Sequence, residues 1–410
     1  MKYKILIVLL VIFRLWVTTY TKHGDLHNGW NWAGNVSKLG VVDFYELPRS
    51  VFWPQSRPNQ PAGSVYLYAF SYQLNEFNNK FFWQLNLKVP FFPSSLVWWW
   101  QRWGDVVSLK LPSVVGDLAL FFAILKIGKF NKLSKIVGLA YLLNPPLWYN
   151  SALWGQNDCI VAALAIWSLI FLFEKRLVLS GALLGASLIT KASWSPALLV
   201  YLVFAVRKFP KKFWLFPVSV GISSLLLFAP FHPRLDLPVW LTRLYLERIL
   251  PGESAFITVN AFNFWHVFFP IDRVPDTTPF LGIPANIFSI VLLLLLFTVT
   301  LRSVWKNPTE QNLVNQMLIV YFGFFLFSIR MHERYMYPLF PLLSWLLVTG
   351  RKIWIQYVVL SFTFLANQYN MWFAPTMLFF ISLYTPLFTK ALSVINLFTW
   401  TTLWPKKSSS

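Results

Sequence analysis

Long apolar runs broken by short polar stretches dominate this chain. They fall at 4–20, 111–127, 134–150, 157–173, 178–191, 193–206, 213–230, 284–301, 312–329, 335–349, 353–366 and 373–389. Each reads as a helix, and several fall short of the ~20 residues that a membrane span needs. The pattern therefore predicts an all-α polytopic bundle of about twelve spans (11–13). Prolines in or beside these runs (Pro145, Pro146, Pro196, Pro338, Pro341) are tolerable in membrane helices packed on neighbours. Two long polar intervals remain, 21–110 and 231–283. The first carries Trp98, Trp99, Trp100 and Trp103 beside F-F-P-S-S-L, which predicts a short helix lying in the membrane interface. In the second, apolar residues recur at three and four, predicting a surface helix near 238–250. The tail after Lys390 is expected along the inner surface or as a short thirteenth span, and its flanking basic residues favour the surface. With no repeat and no low-complexity segment, residues 1–410 read as one integral membrane domain.

Composition supports that picture. The chain is 57% hydrophobic, 19% aromatic and 12% charged, against about 25% charged in a soluble domain. Lys2 and Lys4 precede the first run as in a signal peptide, but no small-residue cleavage site follows, so an uncleaved first helix is expected. Cys159 is the one cysteine, which excludes an internal disulfide and a cysteine metal cluster.

Net charge is +20, from 35 Lys and Arg against 15 Asp and Glu. With Lys2 and Lys4 placed inside, the inner side also collects Lys126, Lys129, Lys132, Lys135, Lys175, Arg176, Arg207, Lys208, Lys211, Lys212, Arg302, Lys306, Arg351, Lys352, Lys390, Lys406 and Lys407. Only Glu174 and Glu310 join them. Every short inner turn is basic, as the positive-inside rule requires. The excess charge thus marks topology and excludes a nucleic-acid partner. Both termini are expected in the cytoplasm and the long intervals outside.

That topology gathers chemistry on the outer side. Asp25 and His27 follow the first run, and Asp43 and Glu46 come later in the same interval. Outer turns carry W-G-Q-N-D (Trp154–Asp158), Lys191, R-M-H-E-R-Y (Arg330–Tyr335) and N-Q-Y-N-M-W (Asn367–Trp372). Charges at or below a membrane surface are costly and tend to face a partner or substrate. Plainer roles are open to each. Asp25 reads also as a solubilising or capping residue, Trp154–Asp158 as a capping turn, and Lys191 as a snorkelling cation. Asp117 reads as structural, and Arg14 as snorkelling or paired with an acid. His332, Glu333 and Arg334 together suit a phosphate or sugar clamp. Phosphate loops, nucleophile elbows and H-E-x-x-H pairs are absent from the sequence. No cofactor is implied, and a divalent metal on Asp25, Asp43 or His27 stays open without a spacing signature.

These residues, in order, resemble the GT-C superfamily of membrane glycosyltransferases, of the polyprenyl-phosphate-sugar-dependent mannosyl- and glucosyltransferase type with bacterial and archaeal members. Asp25 follows the first helix, and Trp32, Gly40 and Tyr45 fit W-x(7)-G-x(4)-Y. Pro58–Tyr68 resembles a proline-rich helix start, departing at Ala62-Gly63 where a second proline is usual. Leu109–Leu118 resembles K-x-P…D, and N-P-P-L-W-Y-N-S-A-L-W-G-Q-N-D fits N-P…S…W-G-Q-x-D. Lys191, V-N-A-F-N-F-W and M-H-E-R-Y match the later stretches. The resemblance implies an outward-facing site at the membrane and the first long loop. Its donor is a hexose, mannosyl or glucosyl, on a polyprenyl phosphate. Asp25 takes the acceptor proton, and transfer proceeds with inversion. Lys191, His332, Glu333, Arg334, Trp154, Gln156, Asp158, Asp43 and Trp32 are the expected substrate-binding residues. Trp30, Trp32 and Trp154 are candidates for stacking on sugar faces. The implied partners are that donor, membrane lipids, and a glycan, lipid-linked, polymeric or protein acceptor. The implied location is a prokaryotic cytoplasmic membrane. A transporter or flippase of lipid-linked saccharides is the alternative from another class, although transporters place their sites near the midplane between repeats. A polymerase or O-antigen ligase is the alternative among enzymes.

Overall fold

The computed structural model describes residues 2–47, 58–249 and 255–405. Lys406 and Lys407 lie outside the described residues, as do parts of both long intervals. The chain is mostly helical: 76%, in 18 helices among the described residues. In chain order these begin with α1 (Lys2–Thr18), α2 (Gly24–Leu39), α3 (Ala62–Lys88), α4 (Ser94–Ile127) and α5 (Lys132–Leu143). The short α6 (Pro145–Trp148) runs into a π-helical turn, Tyr149–Trp154. Then come α7 (Asp158–Phe173), α8 (Leu177–Thr190), α9 (Ser195–Lys208), α10 (Leu215–Phe228), α11 (Leu237–Leu244) and α12 (Phe264–Phe268). The last group is α13 (Ala285–Lys306), α14 (Glu310–Phe327), α15 (Leu339–Val348), α16 (Trp354–Met371), α17 (Leu378–Ser382) and α18 (Pro386–Thr402). A two-residue hairpin pairs Phe280 with Ile283 ahead of α13.

Most apolar runs coincide with helices, and three expectations need correction. The tryptophan-rich stretch at 98–103 is not a separate interfacial helix. It is the first third of α4, whose 34 residues rise ~50 Å, well beyond a ~30 Å hydrocarbon layer. The run at 373–389 is not one helix. Thr385 caps α18 by accepting from the Phe388 amide (3.3 Å), with Pro386 at the first helical position, a strong start signal. The tail does not lie apart on a surface. It forms most of α18, whose Asn396 donates to Phe262 O (2.8 Å) and Trp400 to Ile319 O (3.2 Å). The surface helix in the second interval is present as α11.

Among the described residues, α4 and α13 are long and apolar enough to cross a membrane; α7, α8 and α10 are shorter apolar helices. The main core is built from α4, α5, α7, α9, α14, α15 and α16. Outside it, apolar stripes face outward at helical spacing: Ile5, Val8, Leu9 and Ile12 on α1, and Ile287, Ile290, Val291, Leu294 and Leu295 on α13. Only 22% of the most apolar stretch of α13 is buried, against 61% for α4. Exposed apolar area on this scale marks an apolar surrounding or a partner.

A polar knot ties the helices under the site. Asp117 on α4 accepts from Arg14 Nε of α1 (3.2 Å), from Tyr337 OH (2.7 Å) and from Ser151 Oγ. Both charged side chains are fully buried, so each exists there only because the other does. Cys159 is buried beside it, with its thiol on Ser113 O, a packing role.

Candidate functional site

A cavity of about 700 Å³ opens where five distant stretches meet. α2 supplies one wall. His23 caps it, its Nδ1 accepting from the Asp25 amide at 3.1 Å. His23 is thus the N-cap of the helix that carries Asp25. Asp25 lies in the first turn, where the helix dipole favours a carboxylate. Asn28 follows one turn later on the same face.

The second wall is the turn after α6. The chain winds into the π-helical turn and ends on Gly155 at φ +87. This left-handed residue lies against Lys110 and Leu26, where a Cβ would meet both at 2.9 Å. The turn presents two donors to one oxygen: Gln156 Nε2 lies 2.7 Å and Trp154 Nε1 3.3 Å from Asp25 Oδ2. Ser113 Oγ holds the Gln156 carbonyl at 3.0 Å.

The third wall is the start of α3. Gly63 packs directly on the end of α8, where a Cβ would come within 2.7 Å of Thr190 Cα. Ser64 Oγ donates to Thr190 O at 2.7 Å. At Gly63, beside the position where the second proline is usual, the two backbones touch and a side chain would collide. Gln60 accepts from Tyr68 OH (2.9 Å) through Oε1 and from Tyr45 OH (2.8 Å) through its carbonyl.

The cations come from the remaining two stretches. Lys191 leaves α8 in an extended conformation, and its Nζ lies 2.6 Å from Asp158 Oδ1. Arg334 Nη1 lies 2.8 Å from Glu333 Oε1, and Glu333 is wholly buried. The Tyr335 ring lies 5.4 Å from Lys191 Nζ and 5.7 Å from the Arg334 guanidinium carbon. Arg330 also lines the cavity and pairs with Asp276 at 2.5 Å.

Electrostatics follow from this packing. Burial pushes the Asp25 carboxyl up, but Arg334, His23 and the bonds from Gln156 and Trp154 outweigh it and hold the group below its ordinary 3.8. Its side chain is 46% exposed, and it lines the cavity. Burial, reinforced by Arg334 and Lys191, drives His332 well below 6.5 and keeps it neutral near pH 7. Burial lifts Glu333 above 4.5 against the pull of Arg334, and burial lowers Lys191 despite Asp158.

Of the residues singled out from sequence, Asp25, Trp32, Trp154, Gln156, Lys191, His332 and Arg334 line this cavity. Asp158 and Glu333 stand behind it, each holding one cation. Asp43 is not brought there: it is on the surface, 3.1 Å from Arg234. The stacking expectation also fails. Trp154 is 1% and Trp32 2% exposed. The Trp154 ring is covered by His23 and Trp372, at 4.9 and 5.6 Å. Trp30 packs on Tyr72 at 4.7 Å. Asn28, Gln60, Tyr68 and Arg330 were not picked out as site residues. Each had a signal: Asn28 its spacing of three from Asp25, Arg330 its place in the R-M-H-E-R-Y turn, and Gln60 and Tyr68 theirs in the proline-rich helix start. Among the described residues no three His, Cys, Asp or Glu side chains form a group able to hold a metal. Compared with protein-family models and with curated proteins, the chain matches none.

Proposed function

We propose that the chain is a membrane-embedded glycosyltransferase. It moves a hexosyl residue, mannosyl or glucosyl, from a polyprenyl-phosphate sugar to an acceptor hydroxyl on the outer membrane face. The observation that carries this reading is the meeting of one carboxylate held in the ionised form, Asp25, with Lys191, Arg334 and neutral His332 around a single cavity. That set supplies what the reaction needs. Asp25 takes the acceptor proton as the hydroxyl oxygen bonds to the anomeric carbon from the face opposite the phosphate. The carbon–oxygen bond to phosphate breaks, and its electron pair stays on the leaving polyprenyl phosphate. Lys191 and Arg334 stabilise that developing charge, and the His332 imidazole donates one hydrogen bond. The outward apolar stripes and the two long apolar helices support a bilayer setting, with some twelve spans and both termini inside.

The test is sugar transfer in detergent. Purified chain is incubated with a polyprenyl-phosphate hexose and saccharide acceptors, and release of polyprenyl phosphate is followed. Release that falls about 10²–10⁴-fold in Asp25→Asn is the expected result. A donor that stays intact in detergent yet crosses sealed vesicles identifies a flippase and overturns the reading.

A further inference from the structure

We infer that Trp154 and Gln156 are positioning residues for the base, not substrate contacts, and that Oδ1 of Asp25 is the atom that receives the proton. The inference rests on the transferase reading above and deepens it.

The geometry divides the carboxylate. Oδ2 accepts from Gln156 Nε2 at 2.7 Å and Trp154 Nε1 at 3.3 Å. Oδ1 takes no hydrogen bond among the described residues, and the residue faces the cavity. An ionised carboxylate is acceptor-only, with room for about four bonds. Two donors on one oxygen fix the plane of the group and leave the other oxygen open to a hydroxyl. The donors themselves are held. The Trp154 ring is wedged between His23 and Trp372, and the carbonyl of Gln156 is pinned by Ser113. Gly155 between them permits the sharp exit from the π-helical turn. The indole has one N–H, and it is spent on Asp25. Other groups facing the carboxylate are His23 at its own helix start, Arg334 and Glu333 from the 333–336 turn, and Tyr68 from α3. Of these Arg334 and His23 favour the ionised form without orienting it.

The two roles separate in a mutant cycle. Gln156→Ala is expected to lower kcat about ten- to a hundredfold while donor and acceptor KM stay within about threefold. Trp154→Phe keeps an aromatic ring, removes the donor, and follows the same pattern. Both changes remove bonds to the ionised form, so the acid limb of the kcat profile moves upward in pH. On an Asp25→Asn background, adding Gln156→Ala costs nothing further, because there is no proton acceptor left to aim. A raised KM at unchanged kcat, or a full additional loss on the Asp25→Asn background, makes these residues substrate contacts and overturns the inference. A second readout needs no turnover: the Asp25 carboxylate, followed by infrared titration, shifts to higher pH in Gln156→Ala. A wild-type chain that transfers no sugar fails the proposed function. A chain that transfers sugar while Gln156→Ala keeps its turnover and its carboxylate titration fails this inference alone.

Discussion

Lys191 and Asp158 close the α7–α8 hairpin at the cavity, ammonium to carboxylate at 2.6 Å. One residue ends α8 and the other begins α7, so a single ion pair fixes both helix ends. The cation faces the site with its charge already compensated. A phosphate there is met by oriented donors more than by net positive charge.

Asp158→Asn leaves Lys191 without its carboxylate in a site where Asp158 is 2% exposed. Breaking a buried pair costs about 3–5 kcal/mol. The expected result is a clearly lower thermal midpoint in detergent. An unchanged midpoint shows the pair to be dispensable for the fold.

Arg334→Ala separates donor binding from folding. Loss of a charged hydrogen-bonding partner weakens donor binding about ten- to a hundredfold. It also strands Glu333, which is fully buried. Arg334→Ala combined with Glu333→Gln should therefore regain stability without regaining affinity. Donor titration and thermal unfolding measure the two effects on the same samples.

Asp43→Asn is the control for Asp25→Asn. Both lie in the same long interval, but Asp43 pairs with Arg234 at the surface. Its replacement should change turnover less than about threefold, since exposed pairs contribute little. A loss at Asp43 equal to that at Asp25 moves the base and breaks the proposed assignment.

The pH dependence has a definite sign. Asp25 is held below 3.8 and His332 well below 6.5, so neither changes charge from about pH 6.5 to 8, and kcat/KM should be level there. Stability behaves differently. As pH falls through 6.5 the unfolded chain protonates His332 and the folded chain does not. The buried neutral imidazole therefore costs stability below about 6.5 and nothing above it. A thermal midpoint that falls from pH ~7 to ~5.5, and falls less in His332→Asn, is the expected pattern.

Orientation can be read by labelling. Lys80, Thr277 and Lys129 are exposed, and the native Cys159 is buried. Cysteines placed at 80 and 277 should react with an impermeant maleimide in intact cells, and one at 129 should not. The reverse pattern inverts the topology and moves the site to the inner face.

How far the sequence could be read depended on the kind of signal. Hydrophobic runs located most of the long helices, because apolar length is a local property, but not α2 or the 27-residue α3, which lie in the polar interval 21–110. They could not show that 98–103 continues into α4, since a tryptophan-rich stretch looks alike whether it ends a helix or begins one. They missed the break before Pro386, although Thr385-Pro386 carried a cap signature. The outer polar segments were legible as islands, and seven of the residues singled out from them and from the first interval do share the cavity. What stayed hidden was which bond each makes. Trp154 reads as a sugar platform until its ring is found covered. Asp43 and Asp25 look equivalent along the chain, and only tertiary packing sends them to different places.

The Arg14–Asp117 pair bears on how the molecule is made. Arg14 leaves the ribosome long before Asp117 does, so α1 must wait with an arginine whose partner does not yet exist. In a bilayer an unpaired arginine at that depth resists insertion. On the proposed membrane topology, the first helix is only provisionally seated until α4 arrives to clasp it. Asp25 lies in the first turn of the next helix, a few residues beyond α1, so its place follows from how α1 is seated. Nascent chains stopped short of Asp117 should be the ones from which α1 is most readily extracted.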